Sequence, residues 1–533
     1  MKKKNVIIII AIIALITAFG VGVPIGEKHR ENIARGQYLL EKYEFTVLDG
    51  KNAEITNFNG QDEEILIPSQ ISGYTITSIG DSAFWQKASL TSVTLPDTIT
   101  NIGENAFTGC YELKSISLSK NLVSLGEGAF SSCPKLEAIS IPPDNPNFVS
   151  IDGVLYTKDG KTLVYYPQGK NLSNYVVPDG VTSIADWVFN QNTFLTSITL
   201  PESLTSVGQG AFTYTSQLEN INISPENPKF VSANGALIDK ETQTLLTVFN
   251  KQNITEYAVP EGVVSIADYA FAGCEQLTEI TFPDSVTSIG EQAFAGCTSL
   301  KSITLPGQLA SIGKWAFSDC RSLEDINISE DNQIFSTVDG VLFNQEAHTL
   351  VLFPAGKQIA QYTVPEGTAA IGDFAFDGCS NLTSVVFPEG LIAIEDSAFQ
   401  GCSRLTSITF PESLSSIGVY AFAKCSSLTD LILPKNLTTI ADNAFAMCTS
   451  LATVTFPENL TVIGDWAFFG CESLTSVTFP EGLVSIGEHA FSLCKSLTSV
   501  TFPESIESIK ENAFYGCTAL TSIKLAGEPD FHR

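Results

Sequence analysis

The segment FQGCSRLTSITFPESLSSIGVYAF, residues 399–422, decides the fold, because it holds one full unit of a pattern that recurs along the chain. Its apolar residues Ile408 and Phe410 each follow a hydroxyl residue, Ser407 and Thr409 respectively. Such alternation is typical of a β-strand that turns one face to an apolar core and the other to solvent. The segment therefore predicts a short strand with one buried face.

The rest of the unit leads the chain back to the start of the next strand. Pro411 has no amide hydrogen to donate to a strand ladder, so the strand should end there. We expect Gly418 to allow a tight turn and Phe422 to fill the core from the opposite wall. One such unit cannot bury its apolar side alone, whereas stacked copies can. The pattern therefore predicts a solenoid of stacked coils.

The spacing of the phenylalanines gives the length of the coil. Fifteen of them occupy the same place in the unit, and eleven of the intervals between them are 23 residues long. A period of 23 falls within the range of about 20–29 residues that is typical of leucine-rich repeats. We therefore predict a leucine-rich-repeat solenoid with a parallel β-sheet on one face and short turns or helices on the other. The repeated residues are Phe84, Phe107, Phe130, Phe189, Phe212, Phe271, Phe294, Phe317, Phe376, Phe399, Phe422, Phe445, Phe468, Phe491 and Phe514.

Three intervals are 59 residues long, which is one unit plus 36 residues. Each contains two apolar runs around a turn, as in the runs 152–156 and 162–166, which flank Asp159-Gly160. Asp-Gly between two such runs favours a tight β-hairpin. We expect each insert to replace the back wall of one coil with a hairpin and to leave the strand ladder continuous. The three inserts are placed at about 143–177, 225–259 and 330–364.

The N-terminus carries a membrane signal. Three lysines, residues 2–4, precede an apolar run from Val6 to about Val23. Lysines before an apolar span stay in the cytoplasm, so the chain that follows is exported. Residues 1–26 are predicted to be an uncleaved transmembrane anchor. A signal peptide cleaved near Ala18-Phe19-Gly20, which would release a secreted protein, is the alternative.

Beyond the anchor, the sequence divides into four further regions. Residues 27–42 are expected to form a polar stalk, and residues 43–83 an N-terminal cap with the first coil. The solenoid is expected to extend over residues 84–526, followed by a tail at 527–533. An end coil has to cover an otherwise open apolar edge, which is the reason for expecting a cap.

The charge of the chain excludes one class of partner. Residues 1–42 carry a net charge of +4 and the remainder carries −33, for a total of −29. A body this acidic repels phosphate backbones and anionic lipid headgroups. Nucleic acids are therefore not expected as partners. A high net charge also keeps a long, exposed protein soluble.

The repeated motif L-x-x-I-x-F-P-E-x-L-x-x-I-G-x-x-A-F-x-x-C resembles that of the BspA-like leucine-rich-repeat proteins of bacterial surfaces. The opening TSIGDSAF at residues 77–84 and the DGVLY insert at 152–156 are also similar to that family. The resemblance covers about residues 43–525. It implies a curved solenoid used for adhesion to host or neighbouring cells, without specifying one ligand. The family supplies no catalytic residues.

Twelve cysteines each lie three residues after a repeat phenylalanine, from Cys110 to Cys517. In an exported protein this number would normally suggest disulfides. Equivalent positions in adjacent coils, however, lie about 5 Å apart with parallel Cβ vectors, which is unsuitable for a disulfide. We therefore predict a buried column of reduced thiols that act as small apolar fillers.

Two surfaces are candidates for ligand contact. One is the outward face of the strands, where hydroxyl residues recur in two columns that include Ser407, Thr409, Ser476 and Thr478. Such a face could hydrogen-bond a polypeptide or a glycan, although β-propensity and solubility also account for its composition. The strand face contains no aromatic anchor of the kind that dominates tight protein interfaces.

The other surface is a column of aromatic residues two positions before the repeat phenylalanine. Trp187, Tyr269 and Phe374 come in the first regular unit after each insert, so we expect them to pack on the hairpins. No such reason applies to Trp315, Tyr420 and Trp466, which are therefore the better candidates for ligand contact.

Little in the sequence favours catalysis. The four histidines are scattered, and His489 is expected to be a solvated surface residue. No phosphate-binding loop, zinc motif or nucleophile elbow is present, so neither a cofactor nor a metal is expected. The sequence is thus interpreted as a non-catalytic adhesion module at the cell surface that binds a protein or glycan on host or neighbouring cells. A spacer or scaffold of the envelope without a dedicated ligand is the alternative.

Overall fold

The computed structural model describes residues 39–525 and 531–532. The chain divides into two compact units, Met1–Gly153 and Val154–Arg533. Residues 39–42 are helical, whereas the predicted anchor, the rest of the stalk and most of the tail lie outside the described residues. Among the described residues, no helix has the length and apolarity needed to cross a membrane.

In the first unit, an antiparallel hairpin precedes the coils. It consists of β1 (Tyr43–Val47) and β2 (Asn52–Phe58). Phe58 stacks on Phe84 of the next coil with ring centroids 5.2 Å apart. The hairpin thus covers the apolar end of the first coil. The other strands of this unit are β3 (Glu64–Leu66), β4 (Gln70–Ile71), β5 (Tyr74–Ile79), β6 (Ser92–Thr94), β7 (Asn101–Ile102), β8 (Ser115–Ser117), β9 (Ser124–Leu125), β10 (Ala138–Ser140) and β11 (Phe148–Ile151).

In the second unit, each coil contributes one strand to a parallel front ladder, as the alternating pattern predicts. The central residue of most of these strands points into the core, and in paired neighbours it faces the equivalent residue 23 positions later, as Val385 faces Ile408. This confirms the predicted leucine-rich-repeat solenoid. The front strands are β14 (Asn174–Val176), β16 (Ser197–Leu200), β18 (Asn220–Ile223), β22 (Glu256–Ala258), β24 (Glu279–Thr281), β26 (Ser302–Leu305), β28 (Asp325–Ile328), β32 (Gln361–Thr363), β34 (Ser384–Val386), β36 (Ser407–Thr409), β38 (Asp430–Ile432), β40 (Thr453–Thr455), β42 (Ser476–Thr478), β44 (Ser499–Phe502) and β46 (Ser522–Leu525), which β47 (Phe531–His532) joins in antiparallel orientation.

A second, shorter parallel ladder forms another side of the coils and was not expected from the sequence. Its regular members contain two residues, most often Ser-Ile. The first of the two faces outward, and the isoleucine is generally buried. The second ladder comprises β13 (Thr162–Tyr165), β15 (Ser183–Ile184), β17 (Ser206–Val207), β21 (Thr244–Val248), β23 (Ser265–Ile266), β25 (Ser288–Ile289), β27 (Ser311–Ile312), β31 (Thr349–Leu352), β33 (Ala370–Ile371), β35 (Ala393–Ile394), β37 (Ser416–Ile417), β39 (Thr439–Ile440), β41 (Val462–Ile463), β43 (Ser485–Ile486) and β45 (Ser508–Ile509).

Gly418 follows the second ladder and begins a tight turn, as predicted, because its carbonyl accepts a hydrogen bond from the Ala421 amide at 3.3 Å. A Cβ atom there would lie 2.6 Å from the main-chain nitrogen and from Oδ1 of Asp396 in the preceding coil. That carboxylate accepts a hydrogen bond from the Val419 amide at 2.7 Å. Glycine is therefore required at position 418 by the close approach of the neighbouring coil.

The third side is a wall of turns that carries the repeat phenylalanines. The amide of Phe399 donates to the carbonyl of Ala421 in the next coil at 2.7 Å, so this wall is also a hydrogen-bonded ladder. The rings of Phe376, Phe399 and Phe422 stack with centroids 4.6 and 5.0 Å apart. The predicted internal column of rings is confirmed.

The thiols form a second internal column beside the rings. Cys402 is fully buried, and its Sγ donates to the carbonyl of Phe376 in the preceding coil at 3.1 Å. Cys425 makes the same contact with Phe399 at 3.2 Å. The predicted column of buried, reduced cysteines is thus present, and the thiols tie adjacent coils together as hydrogen-bond donors in addition to filling space.

The expectation that the strand ladder continues past the inserts is wrong. Within the described residues, no strand pairing joins β18 to β22 or β28 to β32. At the third insert, the amide of Ile326 in β28 instead donates to the carbonyl of Gly340 in a hairpin turn at 3.1 Å. The hairpin therefore occupies the edge at which the next front strand would have paired.

The inserts form the predicted hairpins but join the second ladder. In the second unit these hairpins use β12 (Val154–Thr157), β19 (Phe230–Ala233), β20 (Ala236–Asp239), β29 (Phe335–Val338) and β30 (Val341–Asn344). The last strand of the third hairpin, β31, pairs antiparallel with β30 and parallel with β33. It leads to Phe353, which stacks on Phe376 at 4.8 Å and lies 23 residues before it.

Each insert that begins within the second unit is joined to the preceding coil by a buried asparagine. Nδ2 of Asn332 donates to the carbonyls of Gly307 and Leu309 at 2.9 Å each. Its Oδ1 accepts from the amides of Ile334 and Phe335 at 2.9 and 2.7 Å. Asn227 makes the same set of contacts in the second insert. Each side chain satisfies buried main-chain groups on both sides of the join.

Candidate functional site

The hydroxyl columns lie on the front ladder and face solvent. Ser407, Thr409, Ser476 and Thr478 are all exposed, and the residues between them are buried. Ser476 and Thr478 also lie in register with the equivalent hydroxyl residues of β44, one coil later. The structure therefore places these candidates on one regular face, which the exposed Asp430 of the intervening strand β38 interrupts with a charge.

The aromatic column occupies an unusual main-chain conformation. The residue two positions before the repeat phenylalanine has a positive φ in the coils of both units, for example 54° at Trp315 and 57° at Tyr420. This left-handed conformation is common for glycine and tolerable for asparagine but strained for bulky residues. Other coils place Gly210 or Asn443 at this position. The fold therefore accepts a small residue there and does not require an aromatic one.

Two pairs of these aromatic residues contact each other around the inserts. Trp187 and Tyr269 form an edge-to-face pair with ring centroids 4.8 Å apart, and the Trp187 ring lies over Gly210, where a Cβ atom would be 2.2 Å away. Trp315 and Phe374 lie 4.2 Å apart. The prediction that Trp315 lacks a packing partner is therefore wrong.

The other aromatic candidates differ in their surroundings. Tyr420 is 43% exposed. Trp466 stacks on His489 at 4.1 Å and contacts Phe469 at 4.8 Å. His489 is itself held by a hydrogen bond between its Nδ1 and Ser492 Oγ at 2.9 Å, with only 19% of its side chain exposed. The expectation that His489 is fully solvated is wrong, because the ring of Trp466 covers it.

A cleft of about 230 Å³ lies at the third insert. It separates the turn wall of the preceding coil from strand β31 of the hairpin, and we call it the Trp315 cleft. Its walls are mainly apolar. At its edge, Lys314 pairs with Asp373 at 2.8 Å, which bridges the coils on either side of the insert. The lining includes Ile312, Lys314, Trp315, Phe317, Leu342, Val351, Leu352, Phe353, Asp373, Phe374 and Asp377.

The second insert has a smaller cleft of about 140 Å³, which we call the Tyr269 cleft. A hydrogen bond from Gln209 Nε2 to Asp268 Oδ2 at 3.0 Å replaces the ion pair at its edge. Tyr269 lines it, as Phe374 lines the Trp315 cleft. Each ring thus lines a cleft together with residues of a hairpin strand, but its ring partner comes from a coil before the insert. The sequence gave no signal for these ring contacts, because Trp315 and Phe374 lie 59 positions apart and Trp187 and Tyr269 lie 82 positions apart.

Asp377 is the unpaired carboxylate of the Trp315 cleft. Its burial, and secondarily the negative charge of Asp319, raise its pKa to about 6, which Lys424 partly offsets. Among the described residues its carboxylate has no hydrogen bond or ion pair. The matching residue of the second insert is Ala272, one position after Phe271. The two clefts therefore differ in charge as well as in size.

The described residues offer little for catalysis. They contain no group of three or more histidine, cysteine, aspartate or glutamate side chains suited to a metal ion. Burial raises the pKa of Cys448 to about 12, so its thiol stays protonated at neutral pH. Lys251 is fully buried, and burial lowers its pKa. Its Nζ donates to the carbonyl of Ala272 at 3.0 Å inside the core.

Comparisons with known proteins agree with the repeat architecture. The family described as a BspA-type leucine-rich-repeat region of six copies matches residues 64–154, 164–233, 246–355, 351–474 and 438–529. No characterised protein gives a significant match.

Solved structures of three bacterial proteins are similar over most of the chain. A leucine-rich cell surface protein of Faecalibacterium prausnitzii is 26% identical, covers 91% of this chain and 94% of its own, and has a TM-score of 0.37. A leucine-rich-repeat protein of Bacteroides ovatus is 23% identical, with coverages of 88% and 98% and a TM-score of 0.31. One of Eubacterium ventriosum is 22% identical, with coverages of 80% and 92% and a TM-score of 0.37.

Proposed function

This chain belongs to the family of BspA-type leucine-rich-repeat proteins, and on that premise we propose that it is a non-catalytic recognition module of the cell surface. Its partner is a protein or glycan on a host or neighbouring cell. In this proposal the apolar N-terminal segment, residues 1–26, anchors the chain in the membrane and the repeats face outward. The acidic body repels nucleic acids and anionic membranes, which leaves proteins and glycans as partners.

The observation that carries the proposal is the aromatic column on left-handed main chain. Trp315 and Tyr420 are 37% and 43% exposed, although a small residue fits the same position in other coils. A left-handed conformation costs a non-glycine residue about 1–2 kcal/mol, which packing in the core does not offset here. Exposed tryptophan and tyrosine are also the residues most enriched at the energetic centres of protein interfaces. Partner recognition gives a reason for retaining them.

The test is a binding screen with variants of both candidate surfaces. The purified chain is immobilised, and binding of matrix proteins, mucins and cell-wall glycans is measured by surface plasmon resonance. The aromatic variant combines Trp315→Ala, Tyr420→Ala and Trp466→Ala, and the front-face variant combines Thr409→Lys and Thr478→Lys. We expect saturable binding of one partner that the aromatic variant loses and the front-face variant keeps, with both variants still folded by circular dichroism.

Three other outcomes of the screen would each lead to a different conclusion. Loss of binding in the front-face variant alone would assign recognition to the hydroxyl columns and reject the aromatic column. Loss of thermal stability in the aromatic variant without loss of binding would assign these rings to packing. If no partner class binds, the adhesion role fails and the alternative of an envelope spacer takes its place.

A further inference from the structure

We propose that the Trp315 cleft binds a lysine or arginine side chain of a partner polypeptide. The proposal rests on the function proposed above and makes it more specific, because it assigns a protein partner and one point of contact. The proposal rests on three features of the cleft: its limited size, its aromatic and apolar walls, and the Asp377 carboxylate, which has no hydrogen bond or ion pair among the described residues.

The size of the cleft limits what it can hold. Sites for drug-sized ligands occupy roughly 300–1,000 Å³, whereas this cleft measures about 230 Å³. A volume of this size suits a single long side chain and is too small for several sugar rings. The interaction is therefore of the kind in which one residue of an extended polypeptide inserts into a pocket.

The walls suit a side chain that has an apolar stem and a charged end. Val351 and Leu352 of the hairpin, which are partly exposed, provide aliphatic surface against which the methylene groups of a lysine or arginine can pack. Trp315 and Phe374 line the same cleft. Cations bind favourably over aromatic ring faces, and tryptophan is the best of these. The two kinds of surface together match both parts of a basic side chain.

The charge in the cleft selects a cation over an uncharged side chain of the same size. Asp377 lines the cleft, and among the described residues its carboxylate accepts no hydrogen bond and makes no ion pair. The lysine at the cleft edge, Lys314, is engaged by Asp373. Arg321 pairs with Asp319, which leaves Lys424 as the cation acting on Asp377 from a distance. A partner cation would supply the missing charge.

The charge of the whole chain favours the same class of partner. The residues after position 42 carry a net charge of −33. Opposite net charge accelerates encounter and orients the partner before contact, whereas a single pocket provides selectivity. A basic polypeptide is therefore attracted to the body as a whole and is held at the Trp315 cleft by one side chain.

The Tyr269 cleft is a control within the same chain. There, Gly210 and Ala272 occupy the positions of Trp315 and Asp377, and the cavity is smaller, at about 140 Å³. A ligand that depends on the ring and the carboxylate should bind at the third insert and leave the second insert unaffected.

The experiment uses fluorine NMR of the full chain labelled with 5-fluorotryptophan. The four tryptophans give four resonances, which are assigned with single Trp→Phe variants. The probes are N-acetyl-lysine methylamide and its arginine counterpart, with N-acetyl-norleucine methylamide as the uncharged control. We expect both basic probes to shift the Trp315 resonance saturably, the Trp187 resonance to stay in place, and norleucine to have little effect.

A variant pair then separates the pocket from general charge. Asp377→Asn should weaken binding of the lysine probe roughly fivefold or more. Glu458→Gln removes the same charge from an exposed site on another coil, so it should leave the affinity unchanged. An equal response to norleucine, an unmoved Trp315 resonance, or equal affinities of the two variants would each overturn the proposal.

The last of these outcomes can also be told apart from failure of the broader function. If Asp377→Asn keeps full binding of the partner found in the screen while the triple aromatic variant loses it, recognition by the aromatic column stands and the basic side chain is excluded. If neither variant affects partner binding, the aromatic column and its cleft are both excluded, and recognition passes to the hydroxyl columns. The comparison of lysine with norleucine needs no variant, so it holds even if Asp377→Asn is unstable.

Discussion

The uninterrupted run of coils from Phe376 to Phe514 and the third insert show two ways of joining neighbouring coils. In the run, stacked rings and thiol hydrogen bonds continue from coil to coil, as between Phe422 and Phe445 at 5.4 Å. At the insert, within the described residues, no ring contact joins Phe317 to Phe353, and the coils are joined at the outer edge by Trp315 and Phe374. Regularity in the core thus specifies the fold, and its interruption creates the cleft.

The largest effect should come from breaking a regular column. Phe422→Ala removes a fully buried ring that is stacked on both sides. We expect a loss of about 3–5 kcal/mol in the free energy of unfolding, because the close-packed coils on both sides cannot collapse into the cavity. Tyr420→Ala, two residues earlier and 43% exposed, is the matched control and should cost less than about 1 kcal/mol. Urea denaturation compares the two, and equal losses would contradict the internal column.

The next largest loss of stability should come from breaking the asparagine contacts at the third insert. Asn332→Leu leaves the carbonyls of Gly307 and Leu309 and two amides without their partner. We expect a loss of about 2–3 kcal/mol, since each buried, unsatisfied group carries a desolvation penalty. Hydrogen exchange should accelerate in the hairpin 335–352 and stay slow around Phe422. The exposed Asn436, which makes one bond to the Glu412 carbonyl, provides the control variant Asn436→Ala. Uniform acceleration of hydrogen exchange along the chain would show that Asn332→Leu destabilises all coils and not the insert alone.

The sequence predicted the regular parts of the molecule and missed what depends on contacts between distant coils. The 23-residue period placed Phe422 and Cys425 correctly, because each contact in a solenoid repeats at a fixed interval. The second ladder was missed since two residues such as Ser416–Ile417 are too short to show alternation. Phe353 could have been found by counting 23 residues back from Phe376. The pairing of Trp315 with Phe374 could not, because the insert between them sets it.

At the second insert, Lys251 takes the position that a cysteine occupies in the thiol column, since it lies 23 residues before Cys274. Burial lowers its pKa, so the folded state favours the neutral amine. Its contribution is most favourable above the unfolded pKa of about 10.4 and is lost as pH falls towards the folded value. Lys251→Met should therefore stabilise the protein, and the gain should grow as pH falls from 10.5 to 7.

Urea denaturation at several pH values measures this gain. Lys301→Met, a change at an exposed lysine, is the matched control. The other groups that act on Lys251 are Cys274 and Cys297, which are unchanged in both variants. A gain that is independent of pH would mean that Lys251 is charged in the folded protein.

The smallest effect tests the strain at the cleft. Trp315 has a φ of 54°, a conformation that glycine adopts freely and alanine does not. Trp315→Ala and Trp315→Gly both remove the contact with Phe374, but only the glycine variant relieves the main chain. We therefore expect the glycine variant to be more stable than the alanine variant by about 1 kcal/mol, the reverse of the usual order. Differential scanning calorimetry of the two variants gives the sign. The usual order would show that the main chain at Trp315 is unstrained.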